Sequence, residues 1–100
     1  MDGGSTPLFI AAEEGHEAVV RALIELGADI NKARDDGATP LFIAAPNDHE
    51  AVVRALIELG ADINKSEKNG VTPLIVGALL GHEAILQALI EAGADVNEAY

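Results

Sequence analysis

The sequence predicts an all-α solenoid of three stacked helix-turn-helix units with short β-hairpin fingers between them, and three observations carry that expectation. Thr6-Pro7-Leu8 returns as Thr39-Pro40-Leu41 and again as Thr72-Pro73-Leu74, at the same interval both times. Stretches 6–38 and 39–71 differ at only eight positions, and 72–100 is a shorter, more divergent third copy. Within each copy, apolar residues recur at helical spacing in two short runs. Helices that short are marginal alone and become stable only when copy stacks on copy. A single domain over residues 6–100 follows, with residues 1–5 as a flexible leader.

Each element of the unit has a physical reason. Thr6 is a good N-cap, and Pro7 fits the first helical position, where its missing N–H costs nothing. Leu8, Ala11 and Ala12 give a narrow apolar face whose small residues admit a close neighbour. Gly15 supplies a left-handed stop. A second helix is expected from Glu17 to Leu26, with Val19, Val20, Leu23 and Ile24 as its buried stripe, Arg21 and Glu25 outward, and Gly27 ending it. Ile30 is expected to pack down as the chain leaves in an extended segment. Asp36-Gly37 and Asn69-Gly70 are tight-turn dipeptides at the tips of the fingers.

Composition narrows the function classes. Six Lys and Arg against 17 Asp and Glu give a formal charge of −11, which repels phosphate backbones and anionic lipid heads. Nucleic-acid and membrane partners are therefore not expected. With no cysteine there is neither a disulfide framework nor a thiol nucleophile. The longest apolar run, Leu74 to Leu80, is far too short to cross a bilayer, and no basic-then-apolar signal segment opens the chain. The expectation is a soluble intracellular-type protein, cytoplasmic or recombinant.

The motifs T-P-L-x-x-A-A, G-H-E-A, A-L-I-E-x-G-A-D-x-N and the D-G or N-G turn, all in phase with that interval, resemble the ankyrin repeat over about 95 of the 100 residues. The resemblance implies paired helices stacked in an L-shaped array with fingers projecting to one side, and a protein-binding scaffold without catalytic activity. One departure concerns the place after T-P-L, where the family often has a His bonded to the Thr. Here that place holds Phe9, Phe42 and Ile75, and apolar packing between neighbours is expected instead.

No constellation for catalysis or cofactor binding stands out. His16, His49 and His82 each precede a Glu, but the second His of H-E-x-x-H is replaced by Val20, Val53 and Leu86. Nor can the three pool on one zinc: stacked helices lie about 8–10 Å apart, whereas two ligands of one ion sit within roughly 4 Å. They are expected to be structural, bonded to backbone between the helices. Ser5 and Ser66 lie in the leader and a finger, away from any paired His and acid, and no glycine pattern cradles a phosphate. No enzyme, metal or cofactor is predicted.

If the scaffold is common, individuality lies where copies differ. One such cluster is the end of the first helix: Glu13-Glu14-Gly15, Pro46-Asn47-Asp48 and Leu79-Leu80-Gly81. The other is the finger, with Ala33-Arg34-Asp35-Asp36 and Ala38 against Ser66-Glu67-Lys68-Asn69 and Val71. The candidate partner-binding residues are accordingly Glu13, Glu14, Asp35, Asp36, Ala38, Pro46, Asn47, Lys68, Asn69, Val71, Leu79 and Leu80, on the concave edge where ankyrin proteins typically bind. A protein partner with basic residues opposite Asp35 and Asp36 is expected, although loops also tolerate change for no functional reason. Pro46 forfeits the last helical turn of its copy, where a full interior break costs about 3 kcal/mol, and Asp48 inherits the left-handed position of Gly15. Leu79-Leu80 is either a binding hot spot or a cap folded over the open end; both readings stand.

Neither end carries the polar outer face that terminal repeats usually show. Repeat one keeps Val19, Val20, Leu23 and Ile24, and repeat three keeps Ile85, Leu86, Leu89 and Ile90, so part of an apolar flank should meet water at each end. Three consequences are open: end-to-end or symmetric self-association, fraying of the terminal repeats, or excision from a longer array. The alternative to a binding scaffold is a structural or designed protein that self-associates through these flanks or through Leu79 and Leu80. Val20→Lys and Leu89→Lys are the changes expected to weaken such association. The near-identity of repeats one and two, the leader and the lone terminal Tyr100 fit a designed or de novo protein. A recently duplicated natural array would look the same, and origin stays open.

Overall fold

A computed structural model of the chain describes residues 3–99; Met1, Asp2 and Tyr100, which fall in the expected leader and at the expected terminal tag, lie outside the described residues. Six helices follow one another: α1 (Pro7–Glu14), α2 (Glu17–Glu25), α3 (Pro40–Ala44), α4 (Glu50–Glu58), α5 (Pro73–Leu80) and α6 (Glu83–Glu91). They form two layers. The first helices of the units stack as α1, α3, α5 and the second helices as α2, α4, α6, with each pair packed across the layers. The molecule measures 34 × 25 × 19 Å.

The expected local signals operate in every copy. Thr6, Thr39 and Thr72 each accept, through Oγ1, the backbone N–H three residues on, at 3.1, 3.2 and 3.3 Å. A cap of this kind is worth about 1 kcal/mol. At the far end of α1, Gly15 at φ 78° lets its own N–H reach Ala12 O and the His16 N–H reach Ala11 O. That pair of bonds closes orphan carbonyls as the left-handed C-terminal motif requires. Leu8, Ala12, Val20, Leu41, Val53, Leu56, Ile85 and Leu89 form one continuous buried core, with Ile30 and its equivalent Ile63 packed against it. Phe9, standing where the family often has His, is fully buried, whereas Phe42 is half-buried.

α3 is five residues long, against eight for α1 and α5. Pro46 has no N–H to continue the ladder, so the helix stops at Ala44 and the chain turns through residues 45–48. Asp48 then takes φ 57°, the only positive φ outside glycine among the described residues. It still makes the closing bonds of that motif, Asp48 N–H to Ala45 O and His49 N–H to Ala44 O.

The fingers are a correction to the expected β-hairpins: among the described residues there is no strand. The Arg34 N–H donates to Ala38 O at 2.8 Å, but the return bond of a ladder is not made. Arg34 O is taken by the Gly37 N–H, and the Ala38 N–H donates to the Asp36 carboxylate at 3.0 Å. Glu67 does the same in the second finger, where its carboxylate accepts the Val71 N–H at 2.9 Å. A side-chain acceptor has displaced the second rung, and each finger is a tight turn.

Candidate functional site

The fingers are hung on one another by backbone bonds. The Lys68 N–H donates to Asp36 O at 3.0 Å, and the Asp35 N–H to Gly3 O at 2.7 Å, so Gly3 takes in the first finger the place that Asp36 takes in the second. Gly37 lies at this junction with φ 88°, and a Cβ there would stand 2.8 Å from the Lys68 nitrogen. That close approach is why glycine sits in the turn. Arg34 grips the Asp36 carboxylate with two nitrogens, Nε at 3.2 Å and Nη2 at 2.7 Å, while its guanidinium carbon lies 4.7 Å from the centroid of the Phe9 ring. The Arg34 hydrogen bond, and after it the Ala38 N–H, hold the Asp36 carboxyl below the usual aspartate range. In the second finger Glu67 is the organiser, accepting the Asn69 N–H at 2.7 Å and the Asn69 side-chain amide at 3.2 Å.

The ends of the first helices are joined by histidine. His49 Nε2 donates to Glu13 O at 2.9 Å, and His82 Nε2 donates to Pro46 O at 3.2 Å. Each ring thus reaches the end of the first helix of the preceding copy or the turn that follows it, so the backbone bonds expected of these histidines run between repeats. The His49 ring covers Gly15 so closely that a Cβ would stand 2.6 Å from its Nδ1. Asp48, which does carry a Cβ at the equivalent place, has Oδ1 3.8 Å from His82 Nδ1. Asn47 compensates the turn lost to Pro46 by donating its amide to Ile43 O at 2.9 Å. His16 is exposed and makes no such bond among the described residues. Among the described residues no group of three or more His, Cys, Asp or Glu side chains is gathered as a metal would require.

The structure separates the candidate residues by accessibility. Glu14, Asp35, Asp36, Asn47, Lys68, Asn69, Leu79 and Leu80 are exposed, and Glu13, Pro46 and Val71 are half-buried. Ala38 is only 1% exposed and presents no surface to a partner. Its side chain lies in the core because the residue that closes the finger also leads into Thr39, itself buried. Leu79 is 75% exposed and Leu80 49%. Arg34 and Glu67 organise the fingers, with Gly37 at the junction, and none of the three is among the candidate partner-binding residues. The D-G and N-G dipeptides marked the turns, but only the folded backbone shows which side chain holds each one.

No helix of the described residues is long and apolar enough to cross a membrane. Comparison with curated proteins gave no match. A family model described as "Ankyrin repeats (3 copies)" matches residues 1–67 and again residues 29–99. Those matches span both layers of helices, the three Thr-Pro caps and both fingers, and the chain belongs to the ankyrin-repeat family.

Proposed function

We propose that the chain is a non-catalytic scaffold that binds a protein partner through the edge formed by its fingers and the ends of its first helices. Ankyrin repeats are generally protein-interaction modules. The observation that carries the reading here is the pair Leu79-Leu80, two adjacent leucines largely in water at the end of α5, where the other copies carry Glu13-Glu14 and Pro46-Asn47. Exposed leucine beside polar neighbours is the composition of a contact centre with a wet rim. Asp35 and Asp36 on the first finger, with Glu13 and Glu14 on α1, give that edge an acidic end, which suits a partner presenting Lys or Arg.

The binding test uses a Leu79→Ser/Leu80→Ser variant and an Asp35→Ala variant, both at exposed positions that the core does not use. A partner selected against the parent chain should lose most of its affinity for the double leucine variant. For Asp35→Ala its association rate should fall and lose salt dependence, with the dissociation rate little changed. Equal affinity for parent and both variants counts against this edge.

A further inference from the structure

The residues exposed at the two ends of the array are the two halves of an interface that the molecule already makes twice inside itself. On the N-terminal face Val19 is 48% exposed, whereas its counterparts Val52 and Ile85 are 1% and 0% exposed because a preceding repeat covers them. Ala22 is exposed in the same way, and its counterparts Ala55 and Ala88 are buried. On the C-terminal face Ile90 is 49% exposed and Ala78 is exposed, whereas Ala12 and Ala45, the counterparts of Ala78, are covered by the repeat that follows. Between α5 and α6 this face opens a groove of about 230 Å³ lined by Leu74, Ile75, Leu86 and Ile90.

Polar groups show the same complementarity. Each internal junction has one His-to-carbonyl bond and one bond from an Asp N–H to an Asn side chain, Asp62 to Asn31 at 2.9 Å and Asp95 to Asn64 at 3.0 Å. At the ends, the His16 ring and the Asp29 N–H have no acceptor among the described residues. The matching acceptors, Leu79 O and Asn97 Oδ1, lie at the opposite end of the chain.

We propose that the chain associates head-to-tail with further copies of itself, the C-terminal face of one copy receiving the N-terminal face of the next in the register that stacks repeat on repeat within the chain. The contact is heterologous, since each copy offers two different faces, and a stacked solenoid does not close on itself, so growth has no fixed end point. Two features of the junction moderate it. The charge of −11 on every copy opposes association until salt screens it. Gln87 also stands where Arg21 and Arg54 make their cross-repeat ion pairs with Glu58 and Glu91, so the junction lacks the pair that Glu25 of the next copy would complete.

Light-scattering mass of the whole chain over a wide concentration range is the test. The mass should climb above 10.3 kDa with concentration and with added salt, without settling on a fixed multiple. A constant 10.3 kDa overturns the proposal. Val19→Lys disables the N-terminal face and Ile90→Lys the C-terminal face, both at half-exposed positions, and circular dichroism checks that each variant folds. Each alone should be monomeric. Their mixture should give a one-to-one dimer that grows no further, because one intact face of each kind remains. Self-association of either variant alone, or a monomeric mixture, overturns head-to-tail stacking. Ala22→Glu and Ala78→Glu repeat the experiment should a lysine variant fail to fold. Gln87→Arg should shift the association midpoint to lower concentration by up to about fivefold, the contribution of an exposed ion pair; a shift to higher concentration overturns the register.

Discussion

Gly15→Ala and Gly81→Ala are the same chemical change at equivalent places in two copies, yet their costs should differ. Both glycines are left-handed, at φ 78° and 72°. A Cβ in that region costs about 1–2 kcal/mol, offset by about 0.4–1 kcal/mol from the lost freedom of the unfolded chain. For Gly81 that is the whole account, since nothing lies within 4 Å of the added carbon, and a net cost of about 1 kcal/mol is expected. At Gly15 the added carbon would stand 2.6 Å from His49 Nδ1, so the ring must retreat and its 2.9 Å bond to Glu13 O must lengthen or break. The chain contains a partial version of this outcome: opposite Asp48, which has a Cβ, the His82 bond is 3.2 Å. Losing the His49 bond adds about 1 kcal/mol, for about 2 kcal/mol in total.

Urea unfolding followed by far-ultraviolet circular dichroism measures both variants. The gap of about 1 kcal/mol corresponds to about 4–8 °C in Tm for a chain of this size. The decisive control is the cycle with His49→Ala, in which Gly15→Ala should cost no more than Gly81→Ala. Equal costs in the parent background, or a Gly15→Ala cost that His49→Ala leaves unchanged, would refute the role assigned to the His49 bridge.

Three other outcomes are expected. Asp48→Gly should raise stability by about 0.5–1 kcal/mol, the left-handed cost less the entropy of the freer unfolded chain, and a lower urea midpoint would contradict it. Asp36 has a native pKa below its ordinary value, so its contribution is full above the unfolded value of about 3.9 and is lost as pH falls through the lower native value; Asp36→Asn should remove that part of the acid limb, and an unaltered acid profile would count against the Arg34 and Ala38 account. Val20→Lys and Leu89→Lys should unfold the chain with losses of about 3 kcal/mol or more, because both side chains are fully buried; as probes of association they are replaced by Val19→Lys and Ile90→Lys, and a folded Val20→Lys variant in thermal scans would contradict this placement.

The repeat made most of the architecture legible. Thr6, Pro7 and Gly15 are local signals, and each acts on backbone within a few residues of itself. The break at Pro46 was readable for the same reason, since a missing N–H ends a helix whatever surrounds it. The fingers were misread because Asp-Gly and Asn-Gly mark a turn and are silent about what pairs beyond it. Whether Ala38 bonds across a ladder or to the Asp36 carboxylate depends on a side-chain rotamer held by Arg34, and Arg34 in turn rests on Phe9, which lies in α1, some 25 residues earlier in the chain. Ala38 stood among the surface candidates because it varies between copies, yet it is buried; variation records what a position tolerates and does not report its depth.

The amino-acid order by itself determined the period, the helices, their caps and the number of units, because those follow from backbone geometry and short-range bonds that recur in every copy. It also determined that the end units lack polar outer faces. Only the tertiary structure decided which apolar residue of a neighbouring pair is covered, Val20 and not Val19, Leu89 and not Ile90. The physical reason is that each second helix is flanked by two neighbours, one on each side. Its stripe is therefore split into a half facing back and a half facing forward, and a sequence pattern that marks the stripe as apolar does not say which half the last neighbour leaves in water.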